Sequence, residues 1–119
     1  MSDLRLYGKT FEQLYSPRDI LNRVDELARE INAHYEGREL HLLIMLKGAV
    51  IFASDLLRRL HVDTHLHFTQ IQSYSGQESG DIQTILDISS ELKGKNVLVV
   101  EDILDTGQTL NHIHEQLRT

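Results

Sequence analysis

The sequence predicts an α/β fold with a doubly wound, mostly parallel sheet. Two stretches carry this prediction, because each combines a buried strand, a small polar loop and the start of a helix. An apolar run at residues 42–46 ends at Lys47-Gly48, and a second run at residues 97–100 ends at Glu101-Asp102. Unbroken apolar runs of this length are typical of strands that are buried on both faces of a sheet. Since ligands bind outside the carboxyl ends of such strands, we expect both loops to lie at a functional edge.

The length and composition fit one soluble globular domain. The chain has 119 residues, 40% hydrophobic and 25% charged, and we expect residues 1–119 to be the N-terminal portion of a single core domain. A formal charge of −6 disfavours binding to nucleic acid or to an anionic membrane. The absence of cysteine excludes disulfides and thiolate metal sites and fits a reducing cytosol. No apolar segment reaches signal-peptide or membrane-spanning character, so we predict a cytoplasmic protein.

The first third of the chain predicts an arm and one long helix. Residues 1–15 are mixed, which indicates an irregular or short-strand arm. Ser16 can cap the following helix, Pro17 suits its first position, and Asp19 stands three residues after the cap. We expect this helix to end at Glu36-Gly37. Its apolar side chains recur on one face: Ile20, Val24, Leu27, Ala28 and Ile31.

The middle of the chain predicts two strands joined by a helix. The first strand covers residues 41–46, the helix runs from about Ala49 to Leu60, and the second strand covers residues 62–71. The second strand alternates, so that His65 and His67 share one of its faces. A metal pair is conceivable there, but we favour a solvated polar face because the sequence shows no third ligand nearby.

The last third predicts a loop, two strands and a final helix. Residues 73–81 are polar and contain glycine, as in mobile loops that act as lids. A short strand at 82–86 and a turn at 92–95 lead into the strand at 97–100, and residues 109–118 form a helical pattern. A buried parallel strand needs neighbours on both sides, and its helix should lead to another strand. We therefore expect the sheet to be incomplete at the C-terminus.

The segment that opens the last helix has the chemistry of a phosphate site. Backbone N–H groups at a helix N-terminus favour an anion, Gly107 allows a close approach, and Thr106 and Thr109 add hydroxyl donors. There is no P-loop lysine. The neighbouring Glu101 and Asp102 would repel a bare phosphate, but they can accept hydrogen bonds from sugar hydroxyls or lie near Mg²⁺ held by a ligand. A sugar phosphate with free vicinal hydroxyls satisfies both groups.

These residues also resemble a known family. Residues 99–109, Val-Val-Glu-Asp-Ile-Leu-Asp-Thr-Gly-Gln-Thr, resemble the phosphoribosyl-pyrophosphate (PRPP) signature of type I phosphoribosyltransferases. With an aspartate at position 105, this segment is similar to the signature of the hypoxanthine-guanine branch of that family. Leu46-Lys47-Gly48 resembles the pyrophosphate loop, Ser73-Tyr74 the start of the flexible catalytic loop, and Gly80-Asp81-Ile82 the strand that returns from it. The resemblance covers roughly residues 5–119.

The resemblance implies a role for each part of the PRPP signature. Glu101 and Asp102 would hold the ribose 2′- and 3′-hydroxyls, directly or through Mg²⁺, and so are also the expected metal ligands. Asp105 would in addition face N7 of a purine as general base. The 5′-phosphate would be bound by Asp105, Thr106, Gly107, Gln108 and Thr109.

The other two loops have implied roles as well. Lys47 and Gly48 would bind pyrophosphate, in the family through a non-proline cis peptide bond between Leu46 and Lys47. Ser73 and Tyr74 would close over the reacting centre and exclude water.

The implied reaction belongs to purine salvage. Purine N9 attacks C1′ of PRPP and displaces pyrophosphate, so that hypoxanthine gives IMP and guanine gives GMP. Mg²⁺ is the expected cofactor, and a homodimer or homotetramer is the expected assembly. The family's purine-reading part lies after the signature, and its lysine, stacking aromatic residue and late aspartate cannot be mapped onto these 119 residues. The choice of purine and the activity of this chain alone therefore stay open.

Two other interpretations are compatible with parts of the pattern. A regulator that senses PRPP without catalysis would keep the sugar-phosphate site, but it would not need Asp105 as a base. A receiver-type signalling domain also places an acid pair after a strand, where it holds Mg²⁺. In such a domain that strand comes first, whereas here it follows most of the chain.

Overall fold

The structure is a computed structural model that describes residues 4–73, 82–88, 90–103 and 107–118. A two-stranded hairpin precedes a four-stranded sheet with three helices, which confirms the α/β class. In chain order the elements are β1 (Leu4–Leu6), β2 (Lys9–Phe11), α1 (Pro17–His34), β3 (Glu39–Leu46), α2 (Val50–Leu57), β4 (Asp63–Ser73), β5 (Ile82–Leu86), a short 3₁₀ helix (Ser90–Leu92), β6 (Val97–Val100) and α3 (Gln108–Leu117).

The four-stranded sheet has the order β5-β4-β3-β6. β3 pairs in parallel with both β4 and β6, and β5 is antiparallel to β4. The chain therefore moves from β3 to one side through α2 and later returns to the other side at β6. This reversal is a topological switch point, and it lies at the carboxyl ends of β3 and β6.

The start of α1 follows from its sequence. Ser16 Oγ accepts a hydrogen bond from the Asp19 amide at 3.0 Å, and Asp19 Oδ2 accepts one from the Ser16 amide at 3.0 Å. This reciprocal capping box satisfies two amides that the helix leaves free. The helix ends at His34, slightly before the predicted Glu36-Gly37, because the chain turns at Tyr35 and Gly37 takes a φ of 75°.

Other boundaries differ by a few residues for identifiable reasons. α2 ends at Leu57 rather than Leu60, since the last turn tightens and the Arg59 amide donates to the Leu56 carbonyl. β4 extends to Ser73 because its last residues pair with β5. The predicted N-terminal arm is the β1–β2 hairpin. The lid prediction covers residues 73–81, of which only Ser73 is described, as the last residue of β4, and the rest fall outside the described residues.

The core is centred on β3. Six consecutive side chains of this strand are buried, and the five apolar ones pack with Ala49 and Ala53 of the α2 region and Ile113 of α3. Residues of α1 and α2 form a second apolar cluster around Val24, Ala28 and Leu56. None of the helices within the described ranges is long and apolar enough to cross a membrane.

β6 is less buried than its sequence predicts. Only Val100 is fully buried and residues 97–99 are half-buried, so the expectation of burial on both faces is wrong for this strand. In the described part of the chain β6 pairs with β3 alone, and a strand with one neighbour buries less surface. The apolar run correctly indicated that this segment is a strand, but it did not indicate the position of the strand within the sheet.

The polar face of β4 is exposed at Asp63 and His65, as predicted, but the side chains near it differ from the prediction. His65 is half-exposed, but Glu39 of β3 and Asp63 lie close to its ring. The statement that no third ligand is near these histidines is therefore wrong. Asp63 stands two residues from His65 on the same strand face and was visible in the sequence, whereas Glu39 was not, because it comes from the neighbouring strand.

Candidate active site

The two predicted loops meet at the carboxyl edge between β3 and β6. The register pairs Ile44 with Val100, so the segments that follow both strands leave the sheet side by side. A Cβ added to Gly48 would lie 2.7 Å from Asp102 Cγ and closer still to the carboxylate oxygen Oδ2. Real Cβ atoms do not make contacts this short, so position 48 accepts only glycine while Asp102 keeps its place. The Asp102 carboxylate therefore packs directly against the backbone of the Lys47-Gly48 turn.

The Lys47-Gly48 turn has the backbone that the resemblance implied. The Leu46–Lys47 peptide bond is cis, although the second residue is not proline. The Lys47 carbonyl accepts a hydrogen bond from the Val50 amide at 3.2 Å, which joins the turn to the first residue of α2. The Lys47 residue itself is exposed. The turn thus places a positively charged residue, Lys47, at the topological switch point.

The acid pair after β6 concentrates negative charge. Glu101 is half-buried, and its Oε1 accepts a hydrogen bond from the Asp102 amide at 2.9 Å. Burial raises the pKa of Glu101 above its usual range, and the adjacent Asp102 carboxylate raises it further. Two adjacent carboxylates are stabilised by hydroxyl groups that donate hydrogen bonds or by a bound cation. Their all-oxygen donor set fits a hard cation such as Mg²⁺.

The predicted phosphate loop is described at its second half. Gly107 stands immediately before α3 with a φ of 85°, a left-handed conformation that glycine adopts without steric cost. The Asn111 amide donates to the Gly107 carbonyl at 2.9 Å, which is the first hydrogen bond of the helix. The amides of Gln108 and Thr109 precede that bond in the first turn, where a helix attracts anions. Gly107, the residue at the cap position, makes no side-chain cap hydrogen bond to this turn.

Of the remaining predicted site residues, the structure describes only Ser73. Asp105, Thr106 and Tyr74 lie outside the described residues. Ser73 is the last residue of β4 and stands three positions beyond Gln70, the register partner of Leu46. The structure therefore brings Lys47, Gly48, Glu101 and Asp102 together and places Gly107, Gln108 and Thr109 at the start of the helix that follows them.

The contact between Gly48 and Asp102 was not predicted. Sequence reasoning assigned both residues to ligand binding but gave Gly48 no packing role. The available signal was a glycine that directly follows a lysine at a strand end, where a missing side chain often marks a close backbone approach. Which residue makes that approach depends on the pairing of β3 with β6.

Fold and site together define a class: α/β proteins whose candidate ligand site lies at the switch point of a mostly parallel sheet. The profile of the phosphoribosyl transferase domain matches residues 10–119. The chain belongs to this family.

Two named proteins are similar to most of this chain. A hypoxanthine-guanine phosphoribosyltransferase from Aquifex aeolicus is 40% identical over 120 residues, which cover 98% of this chain and 66% of that protein. A crystal structure of a hypoxanthine-guanine phosphoribosyltransferase from Bacillus anthracis superposes with a TM-score of 0.82 at 36% identity, covering 90% of this chain and 64% of the other.

A third relative carries a ligand. A hypoxanthine phosphoribosyltransferase from Trypanosoma cruzi, solved as a mutant in complex with the product IMP, superposes with a TM-score of 0.81 at 32% identity. The match covers 97% of this chain and 64% of that one. The chain thus spans slightly less than two thirds of the length of these relatives.

Proposed function

We propose that this chain carries the PRPP-binding part of a purine-salvage phosphoribosyltransferase. The reaction transfers the 5-phosphoribosyl group from PRPP to N9 of hypoxanthine or guanine and gives IMP or GMP and pyrophosphate. The close packing of Gly48 against Asp102 carries the proposal. It joins an anion-binding turn to an acid pair suited to ribose hydroxyls, as a ligand with a ribose beside a pyrophosphate requires. The names of the relatives and the IMP bound to the Trypanosoma cruzi protein support the same substrates.

The proposed binding roles divide PRPP into three parts. Glu101 and Asp102 accept hydrogen bonds from the ribose 2′- and 3′-hydroxyls. The turn at Lys47 and Gly48 binds the pyrophosphate through the lysine charge and the exposed backbone. The 5′-phosphate is bound by Asp105, Thr106, Gly107, Gln108 and Thr109, whose backbone amides and hydroxyls are donors suited to a phosphate.

Glu101 and Asp102 are also the residues that would hold Mg²⁺. The cation, when bound together with PRPP, neutralises charge on the leaving pyrophosphate. A cation at this point would also favour the ionised form of Glu101, whose pKa is raised by burial and by the adjacent Asp102 carboxylate.

The proposed chemistry is a displacement at C1′ of the ribose. The N9 lone pair forms the new bond to C1′ while the bond from C1′ to the pyrophosphate oxygen breaks, and that oxygen keeps the electron pair. Asp105 accepts the proton that the purine loses from N7. Lys47 stabilises the negative charge that develops on pyrophosphate, and Ser73 and Tyr74 exclude water from the oxocarbenium-like sugar.

A pyrophosphate-release assay tests the activity. The protein is mixed with PRPP and Mg²⁺, and then separately with hypoxanthine, guanine, xanthine and adenine. We expect release with hypoxanthine or guanine and little with adenine. Binding of PRPP without release with any base would instead identify a PRPP-sensing regulator, and absence of both would reject the assignment of the site.

The assembly and location belong to the same proposal. We expect a homodimer or homotetramer in the cytoplasm, as the resemblance implies. A Trypanosoma cruzi relative has been studied for the effect of its C-terminal region on oligomeric state and activity. Sedimentation equilibrium of the protein measures the assembly directly, and a monomer at all concentrations would contradict this expectation.

A further inference from the structure

A second group of polar side chains lies at the opposite edge of the sheet. The register pairs Glu39 with Asp63 and His41 with His65, at the amino ends of β3 and β4. Since side chains alternate between the two faces of a strand, residues two apart on each strand share one face with their register partners. Five titratable side chains thereby share this face: Glu39, His41, Asp63, His65 and His67. Their strand ends are opposite to those that form the proposed PRPP site.

Three of these side chains have the spacing of metal ligands. His65 Nε2 lies 3.2 Å from Asp63 Oδ1 and 3.7 Å from Glu39 Oε1. One ligand atom from each residue lies within 4.8 Å of the other two. Ligand atoms about 2.1 Å from a tetrahedral zinc ion are about 3.4 Å apart, so only small rotations of the side chains are needed. The side chains are 44–68% exposed, which leaves room for an ion and water to enter.

A hydrogen-bonded chain through the buried His41 orients one of these ligands. His41 is 5% exposed, and its Nε2 contacts Glu39 Oε1 while its Nδ1 lies 2.7 Å from His67 Nε2. A carboxylate only accepts hydrogen bonds, so Nε2 of His41 carries the donated hydrogen. In neutral His41, Nδ1 then accepts from Nε2–H of His67. The His41 ring also stacks against His65 and His67, at centroid distances of 4.8 and 5.0 Å. Groups behind metal ligands commonly provide this kind of orientation.

We propose that Glu39, Asp63 and His65 bind a divalent transition metal of the zinc class, with water completing the coordination. An imidazole nitrogen beside two carboxylates favours zinc-class ions over Mg²⁺ or Ca²⁺, which prefer oxygen ligands alone. Because Glu39 belongs to β3 and the other two ligands to β4, the ion joins the two strands and stabilises the folded protein that binds it. The competing arrangement is an ion-pair network, in which Lys95 Nζ lies 3.9 Å from Glu39 Oε1.

Calorimetric titration of the full untagged protein with Zn²⁺ tests this site. Excess Mg²⁺ is present throughout, so that the acid pair at the PRPP site does not contribute. We expect one saturable Zn²⁺ site and a Zn²⁺-dependent rise in melting temperature. Replacing Zn²⁺ by Co²⁺ should give the visible absorption of a four-coordinate ion. His65→Gln should weaken Zn²⁺ binding by more than about 100-fold, the upper effect of groups that only orient a ligand.

Two further variants make the test decisive. Asp63→Asn changes a residue that is 68% exposed, so it keeps the fold even if His65→Gln does not, and it should weaken binding at least about 10-fold. His114→Gln is the matched control, since His114 is an exposed histidine on α3, and it should bind Zn²⁺ like the unmodified protein. The proposal is overturned if the unmodified protein shows no saturable site, or if Asp63→Asn binds with unchanged affinity. Equal loss of affinity in His114→Gln would overturn it as well.

Discussion

At the residue scale, Gly48 and Asp102 constrain each other. The Asp102 carboxylate occupies the space in which any side chain at position 48 would begin. The glycine therefore fixes where the acid pair stands relative to the Lys47 turn. In the proposed reaction this contact places the acceptors for the ribose hydroxyls beside the turn that binds the pyrophosphate of the same PRPP molecule.

Gly48→Ala tests this constraint. The added methyl group must displace the exposed Asp102 carboxylate, which is then lost as an acceptor for the ribose hydroxyls, and a hydrogen bond to a charged group typically contributes about 1.5–3 kcal/mol. We expect PRPP affinity to fall about 10-fold or more, since about 1.4 kcal/mol corresponds to each tenfold change. Calorimetry with PRPP and Mg²⁺ measures the loss.

A double-mutant cycle provides the control for Gly48→Ala. If the methyl group acts through Asp102, then Gly48→Ala combined with Asp102→Ala should bind PRPP no more weakly than Asp102→Ala alone. Additive losses of affinity would show that Gly48 acts independently of Asp102.

Asp105→Asn tests the proposed base. In an intact enzyme that carries this segment, we expect kcat to fall by about 100-fold, because general-base catalysis is typically worth 10²–10⁴-fold. PRPP affinity should change little, since asparagine has nearly the same size and keeps one oxygen. Steady-state kinetics and PRPP calorimetry on the same preparation separate the two effects. Unchanged turnover would remove Asp105 from the base role.

Residue types were predictable from the sequence, but their contacts were not. Lys47-Gly48 and Glu101-Asp102 stand at strand ends, and their chemistry indicated anion and hydroxyl binding from local pattern alone. The contact of Gly48 with Asp102 joins positions that are far apart in the chain. It depends on the register between β3 and β6, which no local pattern specifies.

At the scale of elements, α1 shows how completely local chemistry can determine a helix start. Its cap, its first-position proline and its acidic third residue were all evident in the sequence, and the structure contains the reciprocal capping box. Ser16→Ala removes the side chain that accepts from the Asp19 amide. We expect this variant to lose about 1 kcal/mol of unfolding free energy in urea titrations.

Ser54→Ala is the matched control for the cap. Ser54 lies inside α2 and its hydroxyl donates to the Val50 carbonyl of the preceding turn. Such a bond contributes little to a helix, and alanine has the higher helix propensity, so the change should stay within about 0.5 kcal/mol. A loss as large as that of Ser16→Ala would mean that the effect is not specific to the cap.

The cap also predicts a pH dependence. Hydrogen bonds from the Ser16 amide and hydroxyl lower the pKa of Asp19 below its usual value of 3.8. A group with a lowered folded-state pKa stabilises the protein above its unfolded pKa, and this contribution is lost as the pH falls through the folded value. Asp19→Asn should therefore be less stable than the unmodified protein near neutral pH, and the difference should shrink below about pH 3.8. A constant difference across that range would contradict the prediction.

Element types were predicted better than burial. The strands at 82–86 and 97–100 have the predicted bounds, because short β-rich runs between turns define both ends. The half-buried state of β6 was missed, since the same apolar run suits a central or an edge strand. The exposed polar face of β4 was predicted, but a carboxylate close to it was missed, because Glu39 comes from β3. Both errors concern the strands and side chains that lie next to an element, whereas the type of the element itself was predicted correctly.

At the scale of the whole molecule, the two edges of one mostly parallel sheet carry different groups of polar residues. Its carboxyl edge holds the turn and acid pair proposed for PRPP, and its amino edge holds the Glu39–Asp63–His65 cluster. The α/β class and the functional edge follow from alternating strands and helices with polar strand ends. Strand order and register do not, because they are decided by packing between distant segments.

Calorimetric titration of this protein with PRPP in the presence of Mg²⁺ tests the central claim most directly. The account predicts one saturable site. Glu101→Ala combined with Asp102→Ala should weaken binding, since two acceptors for the ribose hydroxyls are lost. Saturable binding that falls in the double variant supports the assignment of the acid pair to ribose. Wild-type affinity in the double variant, or no binding by the unmodified protein, would contradict it.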